Sequence, residues 1–189
     1  MATIGLDSIY YALITSDDET ETVYETPKKF APAMSLTRTP AYNRAYLRAD
    51  DGVVATAGAK GPTALSVAIS KLTKEAKADI LGRTTNTDGV SVGNKKDRPS
   101  DVALMARSEK ANGAYKYIVI YKAQFNPPEE AMETKQDTPA FSTPTLTGEA
   151  IPRLSDGNDD ADVDSDDADI AQTVIDSWFD SVYEKTPVI

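Results

Sequence analysis

The clearest pattern of apolar and polar positions lies in residues 111–125, ANGAYKYIVIYKAQF. A period of two that is rich in aromatic and β-branched residues predicts a β-strand. Asn112-Gly113 is a pair that tolerates positive φ in a two-residue hairpin turn. The alternating run 102–110 supplies a partner, so residues 101–125 are predicted to form a long antiparallel hairpin. One face of its second strand would carry Tyr115, Tyr117, Val119, Tyr121 and Phe125, together with Ala123.

Both faces of this hairpin carry apolar residues near the middle and charged residues near the ends. A sheet with one solvated face would alternate more cleanly between apolar and polar positions. We therefore expect the hairpin to be covered on both sides, by its own domain on one side and by a neighbouring copy on the other.

Further alternating runs predict strands at residues 4–14, 63–72 and 140–151. Pro144 would restrict the last of these to an edge or a bulged strand. Between the second and third runs the period changes to that of a short helix, which Thr73 can cap and Gly82 can end. The pattern predicts a mainly β protein with helices (α+β), a mostly antiparallel β domain with a helix packed on it.

A weaker alternating pattern covers residues 42–56. It lacks large aliphatic residues at its centre, Gly58 and Gly61 follow it, and residues 31–40 before it contain two prolines and are expected to be irregular. Because Asp-Gly is a tight-turn pair, we predict a hairpin that is a mobile arm rather than part of the core. The arm residues are Tyr42, Arg44, Tyr46, Arg48, Asp50, Asp51 and Gly52.

The C-terminal part of the chain differs in composition. Residues 155–169, SDGNDDADVDSDDAD, are predicted to be an acidic linker that cannot bury enough apolar area to order itself. Residues 170–185 follow as an amphipathic helix, which packs either on its own domain or on a neighbouring subunit. The domain prediction is thus a β domain at 1–154, a linker at 155–169 and a helical extension at 170–189. The docking face of the helix would comprise Val174, Ile175, Trp178, Phe179 and Val182.

The composition limits the possible functions. The 189 residues are 40% hydrophobic and 26% charged, with no cysteine and no histidine, which excludes disulfides, zinc–thiolate sites and histidine chemistry. The N-terminal apolar run lacks a preceding basic region, so no secretory signal is expected. The net charge of −10 resides from residue 155 onward, where eleven acidic residues face one lysine. Such a protein is a poor ligand for a phosphate backbone.

The acidic run is the one candidate metal site, and no cofactor is predicted. Its weak candidate ligands are Asp160, Asp162, Asp164 and Asp166. A calcium loop needs a glycine at its sharp turn and a closing bidentate glutamate, and this run has neither at the required offsets. The pattern therefore favours a solvated tether. Paired Asp50 and Asp51 are expected to form a turn, and nothing in the sequence points to an enzyme.

Several segments in order and spacing resemble the major tail proteins of long-tailed, non-contractile bacteriophages (siphophages), which form the tail tube. They are IGLDSIYYALI, ETPKKFA, the Tyr-Leu-x-Ala-Asp-Asp-Gly turn at 46–52, the helix ending in Asp-Ile-Leu-Gly at 79–82, KANGAYKYIVIYKAQF, and TKQDTPAFSTPTLTG at 134–148. The resemblance covers most of residues 1–154, and the acidic stretch and final helix are treated as a variable extension.

This resemblance implies a virion protein that self-assembles in the host cytoplasm into stacked hexameric rings. The implied fold is an antiparallel β-sandwich or barrel with one short flank helix, and each subunit would give strands to an inner β-barrel. The predicted barrel-strand residues are Tyr115, Tyr117, Val119, Tyr121 and Phe125. Double-stranded DNA and the tape measure protein would pass through the lumen. Tail-end proteins would be further partners, and no catalytic residues are implied. We expect residues 42–56 to bridge the rings, and Lys116 and Lys122 to be paired with carboxylates of neighbours or to point away from the lumen.

Two alternatives stay open at this point. One is the tube protein of a contractile or injection-type machine, which shares the architecture. The other is a secreted or surface calcium-dependent β-type binding module, against which the absence of a signal sequence counts.

Overall fold

The computed structural model describes residues 2–129, 134 and 143–185. Most of these residues belong to antiparallel strands, so the predicted mainly β fold with one short flank helix is confirmed. The elements, in chain order, are β1 (Thr3–Asp17), β2 (Thr22–Tyr24), β3 (Lys28–Lys29), β4 (Ala33–Ala49), β5 (Gly52–Ile69), α1 (Lys74–Leu81), β6 (Thr84–Thr85), β7 (Ser91–Val92), β8 (Val102–Lys110), β9 (Tyr115–Phe125), β10 (Thr145–Ala150), β11 (Asp160–Asp164) and α2 (Gln172–Asp176).

One large sheet organises the chain, with strand order β2-β1-β8-β9-β10-β5-β4. The second edge of β9 is shared, because β10 pairs with its C-terminal end and β11 pairs with its N-terminal half. Strand β3 joins β1 in the same sheet, and β6 and β7 form a separate small ribbon. Among the described residues the sheet does not close into a barrel, since β4 has no partner on its outer side.

The predicted hairpin of β8 and β9 is present, but its turn differs from the prediction. The Gly113 N–H donates to the Lys110 carbonyl (3.0 Å), and the Lys110 N–H donates to the Ala114 carbonyl (2.8 Å). Of the turn residues only Gly113 has a positive φ, at 80°. The connection is therefore a three-residue loop that ends on a left-handed glycine, rather than a two-residue turn.

A β-bulge in β9 corrects the predicted face assignment. The register with β8 shifts between the pairs Val102↔Ala123 and Leu104↔Ile120. One extra residue in a strand exchanges the two faces beyond it. Tyr117, Val119 and Tyr121 therefore lie in one apolar core, whereas Ala123 and Phe125 lie in the other.

The two cores occupy opposite faces of the sheet. In the first, residues of β1, β8 and β9 pack against β5 and α1, with Ile9, Leu104, Val67 and Ile80 fully or almost fully buried. Helix α1 follows the prediction, since the Thr73 hydroxyl accepts from the Ala76 N–H (3.2 Å) and Gly82 follows its last residue. In the second core, residues 170–183 cover the other face. The neighbouring copy expected on that side is thus replaced by the chain's own C-terminal segment.

Two further predictions need correction. Residues 33–40 are not irregular but form the start of β4, and Pro40 is accommodated because β4 is an outer strand. Strand β10 begins just after Pro144 and is internal rather than an edge, since β9 and β5 flank it. Residues 140–142 of the predicted strand 140–151 lie outside the described residues. None of the helices in the described part of the chain has the length and apolar character needed to span a membrane.

Candidate functional site

Strands β4 and β5 continue beyond the rest of the sheet as a two-stranded ribbon, which we call the projecting hairpin (residues 41–60). Pairing of β10 with β5 ends at Thr63, so only β4 and β5 pair beyond that point. Every residue from 37 to 60 is exposed. At ~3.3 Å per residue the ribbon extends ~30 Å. The predicted hairpin at 42–56 is thus confirmed as structure, while its role in assembly stays a prediction.

The two faces of the projecting hairpin differ in chemistry, because side chains alternate along β4 and cross-strand partners share a face. One face, which we call the Tyr–Arg face, carries Tyr42, Arg44, Tyr46 and Arg48. The opposite face carries Ala45, Leu47, Ala55, Ala57 and Ala59. The exposed apolar residues of this hairpin mark it as a surface suited to a partner, since a lone two-stranded ribbon has no core.

The Tyr–Arg face is ordered by contacts within it. The Tyr42 ring lies directly over Gly58, where a Cβ atom would come within 2.5 Å of the ring. The Arg44 guanidinium lies 5.4 Å from the centre of the same ring. The ring therefore fits only because residue 58 has no side chain, and the adjacent guanidinium is held by a cation–π contact.

The hairpin tip is a two-residue turn whose central residues are Asp50 and Asp51, with φ angles of 48° and 60°. The sequence pattern placed Gly52 in the turn, but Gly52 is the first residue of β5. Aspartate is one of the few residues other than glycine that visits this region, which explains why the pair can form the turn. The two carboxylates therefore serve as turn formers at the exposed end of the ribbon.

We expect Asp51→Val to loosen the tip by about 1–2 kcal/mol, because a β-branched side chain is strained at a left-handed φ. The measurement is hydrogen exchange of the backbone amides in residues 46–56, which should become faster. Asp51→Gly is the matched control and should leave the exchange as slow as in the wild type or slower. Equal exchange in the valine variant would contradict the turn assignment.

The base of the hairpin is tied to the acidic segment (residues 155–169). Arg38 of β4 forms an ion pair with Asp160, and Lys60 of β5 forms one with Asp159. Partial burial alone would raise the pKa of Asp159, but the hydrogen bond from Lys60 brings that pKa below its ordinary value. These pairs connect the hairpin to the start of β11.

The acidic segment is not a solvated tether along its whole length, because Asp160–Asp164 form β11 in the main sheet. Its four candidate metal ligands are each paired with a basic side chain of the same chain. Asp160 pairs with Arg38, Asp162 pairs with Lys116 (2.6 Å), and both Asp164 and Asp166 pair with Lys110 (2.7 and 2.5 Å).

Carboxylate oxygens of Asp164, Asp166 and Asp167 lie within 4.8 Å of one another. The ammonium group of Lys110, a buried residue, already neutralises two of them. Hydrogen bonds from Lys110 and then Asn112 lower the pKa of Asp166 to about 2. Lys110 and Asn112 thus already engage both oxygens of Asp166 and one oxygen of Asp164, so the cluster offers fewer free oxygens than the six or more that calcium needs.

Lys116 and Lys122 are both paired with carboxylates, but with those of their own chain. Lys116 contacts Asp162 (2.6 Å), and Lys122 contacts Asp17 (2.7 Å) and Asp101 (3.5 Å). The Lys122–Asp17 pair is largely buried. Neither lysine is thus available as an unpaired charge for a phosphate backbone.

The C-terminal segment (residues 170–185) packs on the second face of the sheet through aromatic contacts. The predicted helix 170–185 is wrong in extent, since only Gln172–Asp176 are helical. The predicted docking face is nevertheless the contact face, with Ile175, Trp178 and Val182 buried and Val174 and Phe179 packed beside them. Tyr10 stacks on Phe179 with ring centres 4.4 Å apart, and Trp178 stacks on Tyr183 at 5.5 Å.

Arg153 is a buried residue that the sequence pattern did not single out. Its guanidinium binds Asp156 through two nitrogens (2.8 and 2.7 Å), contacts Glu184 (2.6 Å), and lies 4.1 Å from the centre of the Tyr121 ring. The hydrogen bond to Arg153 lowers the pKa of Asp156 well below its usual range. Arg153 thus joins both ends of residues 156–184 to the sheet. A single arginine in an otherwise acidic region is the sequence signal that marks it.

We expect acid to release the acidic and C-terminal segments. Folding lowers the pKa values of Asp156, Asp159 and Asp166. Their contribution to the stability of the folded state is therefore complete above the unfolded pKa near 4 and is lost as the pH falls through the folded pKa values. Fluorescence of Trp178, the only tryptophan, should shift to the red between about pH 4 and about pH 2.

Asp169→Asn is the control for this titration, because Asp169 is exposed and has no ion pair among the described residues. Its transition should match that of the wild type. Unchanged Trp178 emission down to pH 2 would show that the ion pairs do not hold the segment.

A family model described as phage tail tube protein matches residues 42–181. The match begins at the projecting hairpin and continues through the acidic segment and Trp178. Residues 155–181, which the resemblance left as a variable extension, are therefore part of the matched region. No curated protein sequence matches the chain.

Proposed function

The chain belongs to the phage tail tube protein family and is a structural protein of the virion tail, and from this premise we propose that its copies form stacked hexameric rings. The stacked rings make a hollow tube through which double-stranded DNA leaves the virion for the host. The tape measure protein occupies the lumen before ejection, and tail-end proteins contact the terminal rings. Assembly takes place in the host cytoplasm, in a siphophage with a non-contractile tail.

The observation that carries this proposal is the projecting hairpin. About twenty residues are exposed on both faces, and Tyr42, Tyr46, Leu47, Val53 and Val54 each expose more than half of their surface. Extended exposed apolar surface marks a site of association. Contact with a copy in the adjoining ring would bury both faces and order the ribbon.

The open outer edge of β4 supports ring formation in a second way. An unpaired strand edge is a template for pairing with another chain, and closure into a ring removes such edges.

The predicted barrel-strand residues of β9 are not suited to face a wet lumen in this conformation. Tyr117, Val119 and Tyr121 are buried beneath the C-terminal segment, and Phe125 lies in the opposite core.

The charge distribution agrees with passage of DNA without specific binding. The net charge of −10 repels phosphates, and Lys110, Lys116 and Lys122 are paired with carboxylates. A free lysine that neutralises a phosphate releases the counterions of the DNA, which makes binding favourable. Such binding would slow a duplex that moves through the lumen.

The test is negative-stain electron microscopy of the purified protein, both fresh and after it has stood at high concentration. Hollow rods or six-fold rings are the expected result. A monomer that persists in all conditions and melts at a clearly higher temperature with millimolar calcium would instead favour a calcium-dependent binding module. Copurification with a sheath protein would favour the contractile type of tail.

A further inference from the structure

The Tyr–Arg face of the projecting hairpin carries positive charge that the chain itself does not neutralise. Arg44 and Arg48 are exposed, and neither forms an ion pair with any residue in ranges 2–129 and 143–185. By contrast, Arg38 and Lys60 at the hairpin base are both paired with aspartates. The two unpaired arginines are therefore the free cationic groups of the ribbon.

The composition of this face is that of a protein interface. Arginine and tyrosine are enriched at interface centres, where a planar guanidinium binds carboxylates through two hydrogen bonds and stacks on aromatic rings. Tyr42 and Arg44 already show this stacking. From Tyr42 to Arg48 the face extends ~20 Å along the strand. A partner for it should present carboxylates over a similar distance.

The same chain presents such a surface elsewhere. Residues 154–184 contain no lysine or arginine. Because Ile175, Trp178 and Val182 face the sheet, Asp176 and Asp180 lie on the solvent side, and Asp167 and Asp169 just before them are exposed as well. We call these exposed carboxylates the acidic outer face, and they are Asp167, Asp169, Asp176 and Asp180. None of the four forms an ion pair with another described residue.

We propose that the Tyr–Arg face of one copy binds the acidic outer face of a second copy in the adjoining ring. This inference rests on the proposed tube function and adds to it the partner surface of the hairpin. Within one chain the two faces do not meet, yet each carries the charge that the other lacks. Complementary charge of this kind fixes the register and orientation of an interface more than it adds affinity.

A nucleic acid is the other ligand that basic and aromatic side chains can bind. The hairpin tip argues against it, because Asp50 and Asp51 place two negative charges at the end of the ribbon. Tight phosphate binding also relies on several free basic residues. On this face Lys60, opposite Tyr42, is bound to Asp159, which leaves Arg44 and Arg48. A protein partner with carboxylates is thus the better match.

The experiment is a charge exchange within the full-length chain. Arg44→Glu with Arg48→Glu should abolish tubes in negative-stain images, and so should Asp176→Arg with Asp180→Arg. The variant with all four changes restores opposite charges and should form tubes again. Lys95→Glu with Lys96→Glu changes the net charge as much as the hairpin variant, at exposed positions outside both faces, and should leave tubes intact.

Two results would overturn the inference: normal tubes from the hairpin variant, or failure of the fourfold variant to restore them. Binding of a labelled DNA duplex by the wild type, lost in the hairpin variant, would also overturn it in favour of nucleic acid. If the wild type forms no tubes, that result counts against the proposed function. Sedimentation velocity then compares self-association, and equal association of the wild type and the hairpin variant would reject the charge contact.

Discussion

Deletion of residues 48–54, with Asn-Gly placed between the cross-strand partners Leu47 and Ala55, is expected to give a folded, soluble monomer that forms no tubes. All the deleted residues are exposed, and the two apolar cores draw none of their members from this stretch. The Asn-Gly pair re-closes the shortened ribbon with a favoured turn. Melting temperature and circular dichroism should therefore match those of the wild type, while electron microscopy and sedimentation show only monomer.

The control keeps the length of the ribbon and changes only its tip. Asp50→Asn with Asp51→Gly retains both faces and should still form tubes. Full-length tubes from the deleted variant would show that ring contacts lie elsewhere on the molecule. In that case the sheet edge at β4 would become the principal candidate for assembly.

The hairpin could be predicted from its sequence because its turn chemistry and its lack of large aliphatic residues are local features. Its full length could not. Pro40, Gly58 and Gly61 look like interruptions. An outer strand nevertheless tolerates a proline, which has no N–H to donate, and a glycine over which a ring packs. The irregular segment predicted at 31–40 is consequently the beginning of one long strand.

The buried sheet shows a second limit of pattern analysis. The alternation in β9 correctly predicts a strand, but the bulge near Tyr121 exchanges the faces for Ala123 and Phe125. At a bulge, two residues of one strand lie opposite a single residue of the partner strand. The alternation of residue types therefore continues along the sequence, although the two faces have exchanged in space. Covalent neighbours alone cannot reveal it.

The acidic segment was predicted to be unordered because its own apolar content is too low to fold. The counter-charges that order it come from distant parts of the chain, namely Arg38, Lys60, Lys110 and Lys116. Residues 1–154 have no net charge, so the sequence does not indicate that four of their basic side chains lie along β11 and its flanking residues. Ala161 and Val163 add apolar contacts with the second core. Order in β11 is therefore a tertiary effect.

The family match includes β11 and residues 170–181 of the C-terminal segment. The segment follows the predicted apolar stripe yet is helical only at residues 172–176. Stacking of Phe179 on Tyr10 and the tilted contact of Trp178 with Tyr117 replace the later helical turns as the source of its position. Spacing thus predicted which side chains make contact, whereas their backbone conformation depends on the rings beneath them.

Trp178→Ala is expected to lower the free energy of unfolding of the C-terminal segment by about 3–5 kcal/mol, the usual cost of removing a large buried aromatic side chain. Trp178 is 3% exposed and contacts the rings of Tyr117 and Tyr183. Its indole N–H has no hydrogen-bond partner among the described residues. Trp178→Phe loses no hydrogen bond and should cost less than about 1.5 kcal/mol.

Urea unfolding followed by circular dichroism and limited proteolysis of residues 165–185 measure the difference. The alanine variant should be cleaved in this stretch under conditions where the phenylalanine variant and an Asp180→Ala control stay intact. Release of the segment would expose Val119 and Tyr121 and would scatter the carboxylates of the acidic outer face. The alanine variant should therefore also fail to form tubes, even though its projecting hairpin is unchanged. Tubes of normal yield from a variant whose segment is proteolysed would separate the C-terminal segment from assembly.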